Sequence, residues 1–141
     1  MAIKILEIHH HAVRIDGQTP ESVLDFYINV LGLAADQGRP HIEGIPGYWM
    51  NVGDVGQIHL IGGAFPSLVA RGPGQDAAAP HVAMAVASIV ETKAELDRLG
   101  VPYWTSKAVS PEFEQVFVDD PCGNMIELHQ LGNCRCGHRK A

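Results

Sequence analysis

Two stretches of sequence decide the fold: His10-His-Ala-Val-Arg-Ile15 and His81-Val-Ala-Met-Ala-Val86. Each begins with histidine and has the alternation expected of a β-strand. They lie 81 − 10 = 71 residues apart in a chain of 141 residues, which is long enough for one compact domain with its own core. A second pair, His59 and Glu127, lies 127 − 59 = 68 residues apart. These similar offsets predict an internal duplication.

A helix is predicted directly after each of the two stretches. In the first half, Thr19 suits the N-cap, Pro20 suits the first helical position and Gly32 suits the end of the helix. The expected apolar stripe of this helix consists of Val23, Phe26, Tyr27, Val30 and Leu31.

The second helix has its own start and stop residues. Ser88 and Glu91 have the spacing of a capping box, and Gly100 ends the periodic segment. Its expected apolar stripe consists of Ile89, Leu96 and Leu99.

Strand-like segments follow both helices. The sequence predicts strands at 48–52 and 57–61 in the first half, and at 101–104, 115–118 and 125–128 in the second, with the region 33–37 supplying the missing strand. The prediction is therefore an α+β fold of two tandem β-α-β-β-β modules, whose curled mixed sheet surrounds a cavity.

We expect a single domain over residues 1–132, with module one at about 4–63, a linker at about 64–78 and module two at about 79–130. Residues 133–141 are expected to form a flexible tail. This tail contains Cys134, Cys136 and His138, which are too few and too close together for a closed zinc site.

Composition narrows the range of partners. The formal charge of −6 argues against nucleic acid or an anionic membrane as a partner. The chain contains no apolar run of about 18 residues, and its N-terminus lacks a signal-peptide pattern. A cytoplasmic protein is expected.

Strand alternation places four polar side chains on one face of the predicted sheet. Val82, Met84 and Val86 should pack on the helix, so His81 should point to the opposite, concave face. The same reasoning gives an inward-facing set of His10, His59, His81 and Glu127. Imidazole and carboxylate groups bind one divalent ion well, and Zn, Ni, Fe, Co and Mn all suit this set. His9 and His11 should face away from His10, which makes packing or surface roles the better interpretation.

The motifs resemble those of the vicinal oxygen chelate superfamily, which includes glyoxalase I, methylmalonyl-CoA epimerase, extradiol dioxygenases and drug-sequestering bleomycin-resistance proteins. Besides the two histidine stretches, the resemblance rests on Phe26-Tyr-Ile-Asn-Val-Leu-Gly-Leu33, Gln57-Ile-His-Leu60 and Asp120-Pro-Cys-Gly-Asn-Met-Ile-Glu-Leu128. It covers nearly the whole chain to about residue 130.

The resemblance implies a metal centre that stabilises an enolate-like intermediate, and a homodimer. His10, His81 and Glu127 match the family's ligand positions. His59 stands where bacterial glyoxalases carry a glutamate, methylmalonyl-CoA epimerase a glutamine and some relatives a histidine. Cys122 replaces the aspartate common in the Asp-Pro-Asp-Gly-Asn turn, and it is interpreted as a turn variant.

Three residues are candidates for contact with a small substrate. Arg14 matches an arginine that contacts the glutathione carboxylate in the glyoxalases, although a surface or interface charge is the alternative. Trp49 and Phe117 are expected either to line the cavity or to fill the core.

Three functions are compatible with these features. The leading one is a glyoxalase-type lyase or isomerase in which Glu127 moves a proton between adjacent carbons. The second is a non-haem iron dioxygenase, which applies if His59 is not a ligand and the other three form a two-His, one-carboxylate triad. The third is a small-molecule sequestering protein, against which the retention of all four positions argues.

Overall fold

The computed structural model describes residues 2–133. The predicted tail, which contains Cys134, Cys136 and His138, lies outside these residues from residue 134 onward. No helix in the described part of the chain is both long enough and apolar enough to cross a bilayer.

The elements follow one another in two similar runs. The first run is β1 (Glu7–Arg14), α1 (Pro20–Asn29), β2 (Ala34–Ala35), β3 (Gly47–Val52) and β4 (Gly56–Ile61); the second is β5 (His81–Val86), α2 (Ile89–Leu99), β6 (Trp104–Ser106), β7 (Gln115–Asp119) and β8 (Met125–Gln130). The predicted α+β fold with two β-α-β-β-β units is confirmed.

All eight strands form one open mixed sheet in the order β2-β3-β4-β1-β5-β8-β7-β6. β1 pairs in parallel with β4, and β5 pairs in parallel with β8. β1 and β5 pair antiparallel at the centre and join the two halves. The four strands that carry the candidate ligands are therefore neighbours.

The N-caps of both helices and the C-cap of α2 are those predicted, whereas α1 ends at Asn29 with Val30 as its C-cap, before the predicted Gly32. Thr19 Oγ1 accepts a hydrogen bond from the backbone N–H of Ser22, and Ser88 Oγ accepts one from the N–H of Glu91. Gly100 ends α2 in the left-handed conformation, with φ of 69°. Each cap satisfies a backbone donor or acceptor that the helix itself leaves unpaired.

Each helix packs on its own half of the sheet. In the first half Ile15, Met50 and Leu60 form a buried cluster against which Val23 and Tyr27 of α1 pack. In the second half the buried cluster consists of Val86, Ile89, Leu96, Val116 and Leu128.

Three members of the predicted stripe of α1 do not pack on the sheet. Phe26, Val30 and Leu31 remain 48%, 66% and 50% exposed. The helix ends at Asn29, so Val30 and Leu31 lie beyond the last residue that periodicity can orient. Leu99 of α2 is also exposed, at the end of its helix.

The strand predicted at 101–104 is wrong in position. The structure places β6 at Trp104–Ser106, which pairs with β7 from Trp104 onward. Pro102 has no N–H to donate to a strand ladder, which accounts for the later start.

Leu60→Ala tests the core of the first half. The Leu60 side chain is fully buried on β4, so we expect this change to lower the free energy of unfolding by about 2–5 kcal/mol. Val90→Ala, at a helical position that is 76% exposed, is the control and should change it by less than about 0.5 kcal/mol. Chemical denaturation measures both, and equal effects would contradict the assignment of the core.

Candidate metal centre

Three of the four predicted ligands meet at one point between β1, β5 and β8. Nε2 of His81 lies 3.1 Å from Oε1 of Glu127, and Nε2 of His10 lies 3.5 Å from the same oxygen. The two Nε2 atoms are 3.3 Å apart. All three side chains are buried.

Main-chain register produces this convergence. Ala83 is the residue opposite both His10 on β1 and Glu127 on β8, and His81 precedes Ala83 by two residues on the same face of β5. The small side chain of Ala83, which is fully buried, leaves space for the three larger side chains around it.

The hydrogen bonding around this triad suits a cation between the three atoms. Nδ1 of His81 lies 2.7 Å from the carbonyl oxygen of Ala79, which can only accept, so Nδ1 carries a proton. In the neutral imidazole, the form that binds a metal, Nε2 then carries a lone pair. That lone pair faces the carboxylate of Glu127. Oε1 of Glu127 is buried and accepts no hydrogen bond of normal geometry within residues 2–133. A shared cation would relieve this repulsion.

The pKa shifts favour the protonation states that a metal requires. Burial, only partly opposed by Glu127, lowers the pKa of His10 to about 4, so its imidazole is neutral near pH 7. Burial by itself would raise the pKa of Glu127, but its interactions with the nearby imidazole of His10, and then with those of His129 and His81, hold the pKa well below its ordinary value. Neutral imidazoles and an ionised carboxylate are the ligand forms that bind metal.

The distances also fit an ion. Ligand atoms about 2.0–2.1 Å from a tetrahedral metal lie roughly 3.3–3.4 Å apart. The three observed separations of 3.1, 3.3 and 3.5 Å bracket this value. The donor set and its spacing therefore suit a divalent transition metal.

His59 does not join this group. Its Nε2 lies 2.8 Å from Oε1 of Gln57, which can only accept, so Nε2 donates the proton. Its ring is held between two others, stacked on His10 at 3.7 Å and on Trp49 at 4.5 Å between centroids. In this arrangement His59 contacts the triad through the ring face of His10.

A short polar chain holds Gln57 in place. Its amide Nε2 donates to Oδ2 of the buried Asp36 at 3.1 Å and to Oδ1 of Asn51 at 2.9 Å. These two bonds fix which end of the amide faces His59. The orientation of His59 is thus set by three polar residues outside the triad.

His9 lies on the cavity side, contrary to the prediction. The pairing of β1 with β5 is irregular between Ile8 and His10, which face Met84 and Ala83, so β1 contains one extra residue there. Such a bulge breaks the alternation of side chains and turns His9 inward, where its Nδ1 lies 2.7 Å from Nδ1 of His10. His11 is exposed, as predicted.

Arg14 does not line the cavity of the triad. Its guanidinium group donates to Asp16 and to the carbonyl oxygens of Gly63 and Ala78, and it lies over the ring of Phe65. These contacts connect β1 to the segment after β4, so Arg14 has a structural role in this arrangement.

The two aromatic candidates differ in position. Trp49 lines the cavity and stacks on His59. Phe117 is fully buried behind the triad, where it meets His81 edge to face at 5.8 Å and stacks on Trp104 at 4.2 Å. Phe117 therefore supports His81 from the core.

The triad opens into a cavity of about 110 Å³. Its apolar walls are formed mainly by Ile42, Ile45, Trp49, Ile61, Val69 and Phe113. Polar groups at its surface include His9, Arg39, Gln115 and His129. Apolar walls with a few converging polar groups are typical of small-molecule sites.

Sequence and fold comparisons agree with the fold described above. The model of the Glyoxalase/Bleomycin resistance protein/Dioxygenase superfamily matches residues 8–128, the segment that carries all the strands of the site. The chain belongs to this superfamily. It includes metal-dependent isomerases, epimerases and dioxygenases. No curated protein matches the chain.

Three solved structures illustrate the shared fold. A hypothetical protein from Bacillus halodurans is 20% identical with a TM-score of 0.64, covering 88% of this chain and 93% of its own. Methylmalonyl-CoA epimerase from Mycobacterium tuberculosis is also 20% identical with a TM-score of 0.64, covering 89% and 88%. The 2,3-dioxygenase LapB from Pseudomonas sp. KL28 is 20% identical with a TM-score of 0.62; the match covers 89% of this chain and 41% of LapB.

Adjacent histidines on β1 provide a matched test of the metal centre. His10→Ala removes one of three converging donors, so we expect purified protein to lose most of its bound metal. His11→Ala, at the exposed neighbouring position, should retain it. Elemental analysis after purification without chelator measures both variants. Equal metal content in the two would show that His10 is not a ligand.

Proposed function

We propose that this chain is a divalent-metal enzyme in which His10, His81 and Glu127 hold the ion, and that it cleaves a small catechol-type substrate with dioxygen. The observation that carries the proposal is the convergence of two imidazoles and one carboxylate while His59 stays outside. A two-His, one-carboxylate triad with open positions is typical of non-haem iron oxygenases.

The ion, when bound, would supply a Lewis acid and, as ferrous iron, a site where substrate oxygens and dioxygen meet. The chain's own residues would then supply orientation, proton transfer and exclusion of water. Trp49 and the aliphatic cavity walls suit a flat, largely apolar substrate body.

His59 is the proposed acid–base group. Because its Nε2 proton is donated to Gln57, Nδ1 is the nitrogen free to accept a proton from a substrate hydroxyl. Burial, together with the nearby imidazoles of His10 and His9, holds the pKa of His59 well below its usual value. A neutral imidazole of this kind is a base at neutral pH.

A glyoxalase-type lyase or isomerase is the second candidate. It is favoured by the closeness of His59 to the triad, since its ring stacks on that of His10 at 3.7 Å between centroids. Glu127 would then be the proton carrier between adjacent carbons, as the sequence suggested. A drug-sequestering role finds no support in the geometry, since binding alone requires no lone-pair cluster.

The homodimer and the cytoplasmic location remain part of the proposal. The exposed apolar side chains of Phe26, Val30 and Leu31 are compatible with a surface that another copy of the chain covers.

His59→Gln separates the two reactions. We expect the variant to keep its metal, because His59 is outside the triad, and to lose roughly 10²–10⁴-fold in rate, the usual contribution of an acid–base group. The assay is oxygen uptake with catechol by protein reconstituted anaerobically with ferrous iron, and the control is His11→Gln, which should be unaffected.

Two outcomes would contradict the dioxygenase proposal. One is an absence of iron-dependent oxygen uptake across a panel of substituted catechols. The other is loss of metal from His59→Gln, which would make His59 a ligand and support the second candidate. In that case, Glu127→Gln should keep the metal but slow exchange of a substrate C–H with deuterated water by about 10²-fold or more.

A further inference from the structure

Arg39 is a cation that faces the candidate metal cavity. It lies in the loop between β2 and β3, and its half-buried side chain forms part of the cavity wall. Nη1 donates to the carbonyl oxygen of Pro40 at 3.3 Å, and Nη2 donates to that of Ile45 at 2.7 Å. Nε is buried and has no acceptor within residues 2–133.

No carboxylate in the described part of the chain forms an ion pair with Arg39. Glu114, which shares the cavity, is bound by Nζ of Lys93 at 2.6 Å. Glu127 belongs to the triad, and Glu43 pairs with His41 at the surface. Burial lowers the pKa of Arg39, yet a guanidinium group remains charged at neutral pH.

This arrangement is costly unless something else supplies the counter-charge. A desolvated cation needs an anion or a full set of hydrogen bonds, and the two carbonyl contacts use only two of the five guanidinium N–H groups. The remaining donors include Nε–H. A carboxylate matches the planar fork of a guanidinium group better than any neutral group does.

We propose that Arg39 binds a carboxylate group of the substrate, so that the substrate is a small carboxylated aromatic molecule whose other end reaches the metal. This inference rests on the proposed function for the identity of the metal-binding end. Gln115 provides a further recognition group, since its buried Oε1 lines the same cavity and has no hydrogen-bond donor among the described residues.

The apolar walls of the cavity would contact the middle part of the substrate. Ile42, Trp49 and Val69 lie in the same cavity as Arg39 and the triad. A molecule with vicinal hydroxyls at one end, a ring in the middle and a carboxylate at the other has a group to match each of these three parts of the cavity lining.

Calorimetry measures the binding of two pairs of ligands to zinc-loaded protein. It tests the inference without turnover. We expect 3,4-dihydroxybenzoate to bind about 10–100-fold more tightly than catechol, the gain typical of a charge-assisted hydrogen bond. Arg39→Met should abolish this ratio while leaving zinc content and catechol affinity unchanged, and Arg39→Lys should restore part of it. Arg71→Met is the control, because Arg71 bonds to the carbonyl oxygen of Thr105 away from the cavity.

The second pair, benzoate and benzamide, consists of two molecules of nearly the same shape, and neither has the vicinal hydroxyls of a catechol. A preference for benzoate that disappears in Arg39→Met supports the carboxylate site. If neither 3,4-dihydroxybenzoate nor catechol binds, that result counts against the proposed function but not against the carboxylate site. Equal affinity of wild-type protein within both pairs, or preferences that survive in Arg39→Met, would overturn the role of Arg39. Thermal melting of each variant confirms that it is folded.

Discussion

The site depends on one close contact, between the buried Glu127 carboxylate and Nε2 of His81 at 3.1 Å. Because the Nδ1 proton of His81 is donated to the Ala79 carbonyl, a neutral His81 has only the lone pair of Nε2 to present to Glu127. Two electron-rich atoms held together in a dry environment are expensive without a cation between them. Nε2 of His10 lies 3.3 Å from Nε2 of His81, so three potential metal donors converge at this point.

The fold imposes that contact through register. Central antiparallel pairing of β1 with β5, and parallel pairing of β5 with β8, places all three donors around Ala83. Core packing on the opposite face of the sheet, led by Leu60 in one half and Leu128 in the other, keeps the strands in this register. Packing of the hydrophobic core thereby stabilises the arrangement in which the side chains of His10, His81 and Glu127 lie close together.

Much of this arrangement could be predicted from the sequence, because duplicated strands repeat the same alternation and place His10, His81 and Glu127 on equivalent faces. Alternation could not foresee His9, since the bulge between Ile8 and His10 leaves no local mark in the sequence. Alternation also could not predict the orientation of the His59 ring. It gives the face of the sheet on which His59 lies, whereas the hydrogen bond from His59 to Gln57 sets the rotation of the ring. Arg39 lies in a loop, where periodicity carries no information about direction.

The central claim is that two imidazoles and one carboxylate bind the ion while His59 does not. A crystal structure of metal-loaded protein, with the ion located by anomalous scattering at its absorption edge, tests this most directly. The account predicts one ion bonded to Nε2 of His10, Nε2 of His81 and a carboxylate oxygen of Glu127, with His59 still hydrogen-bonded to Gln57. An ion bonded to His59, or located away from Glu127, would contradict it.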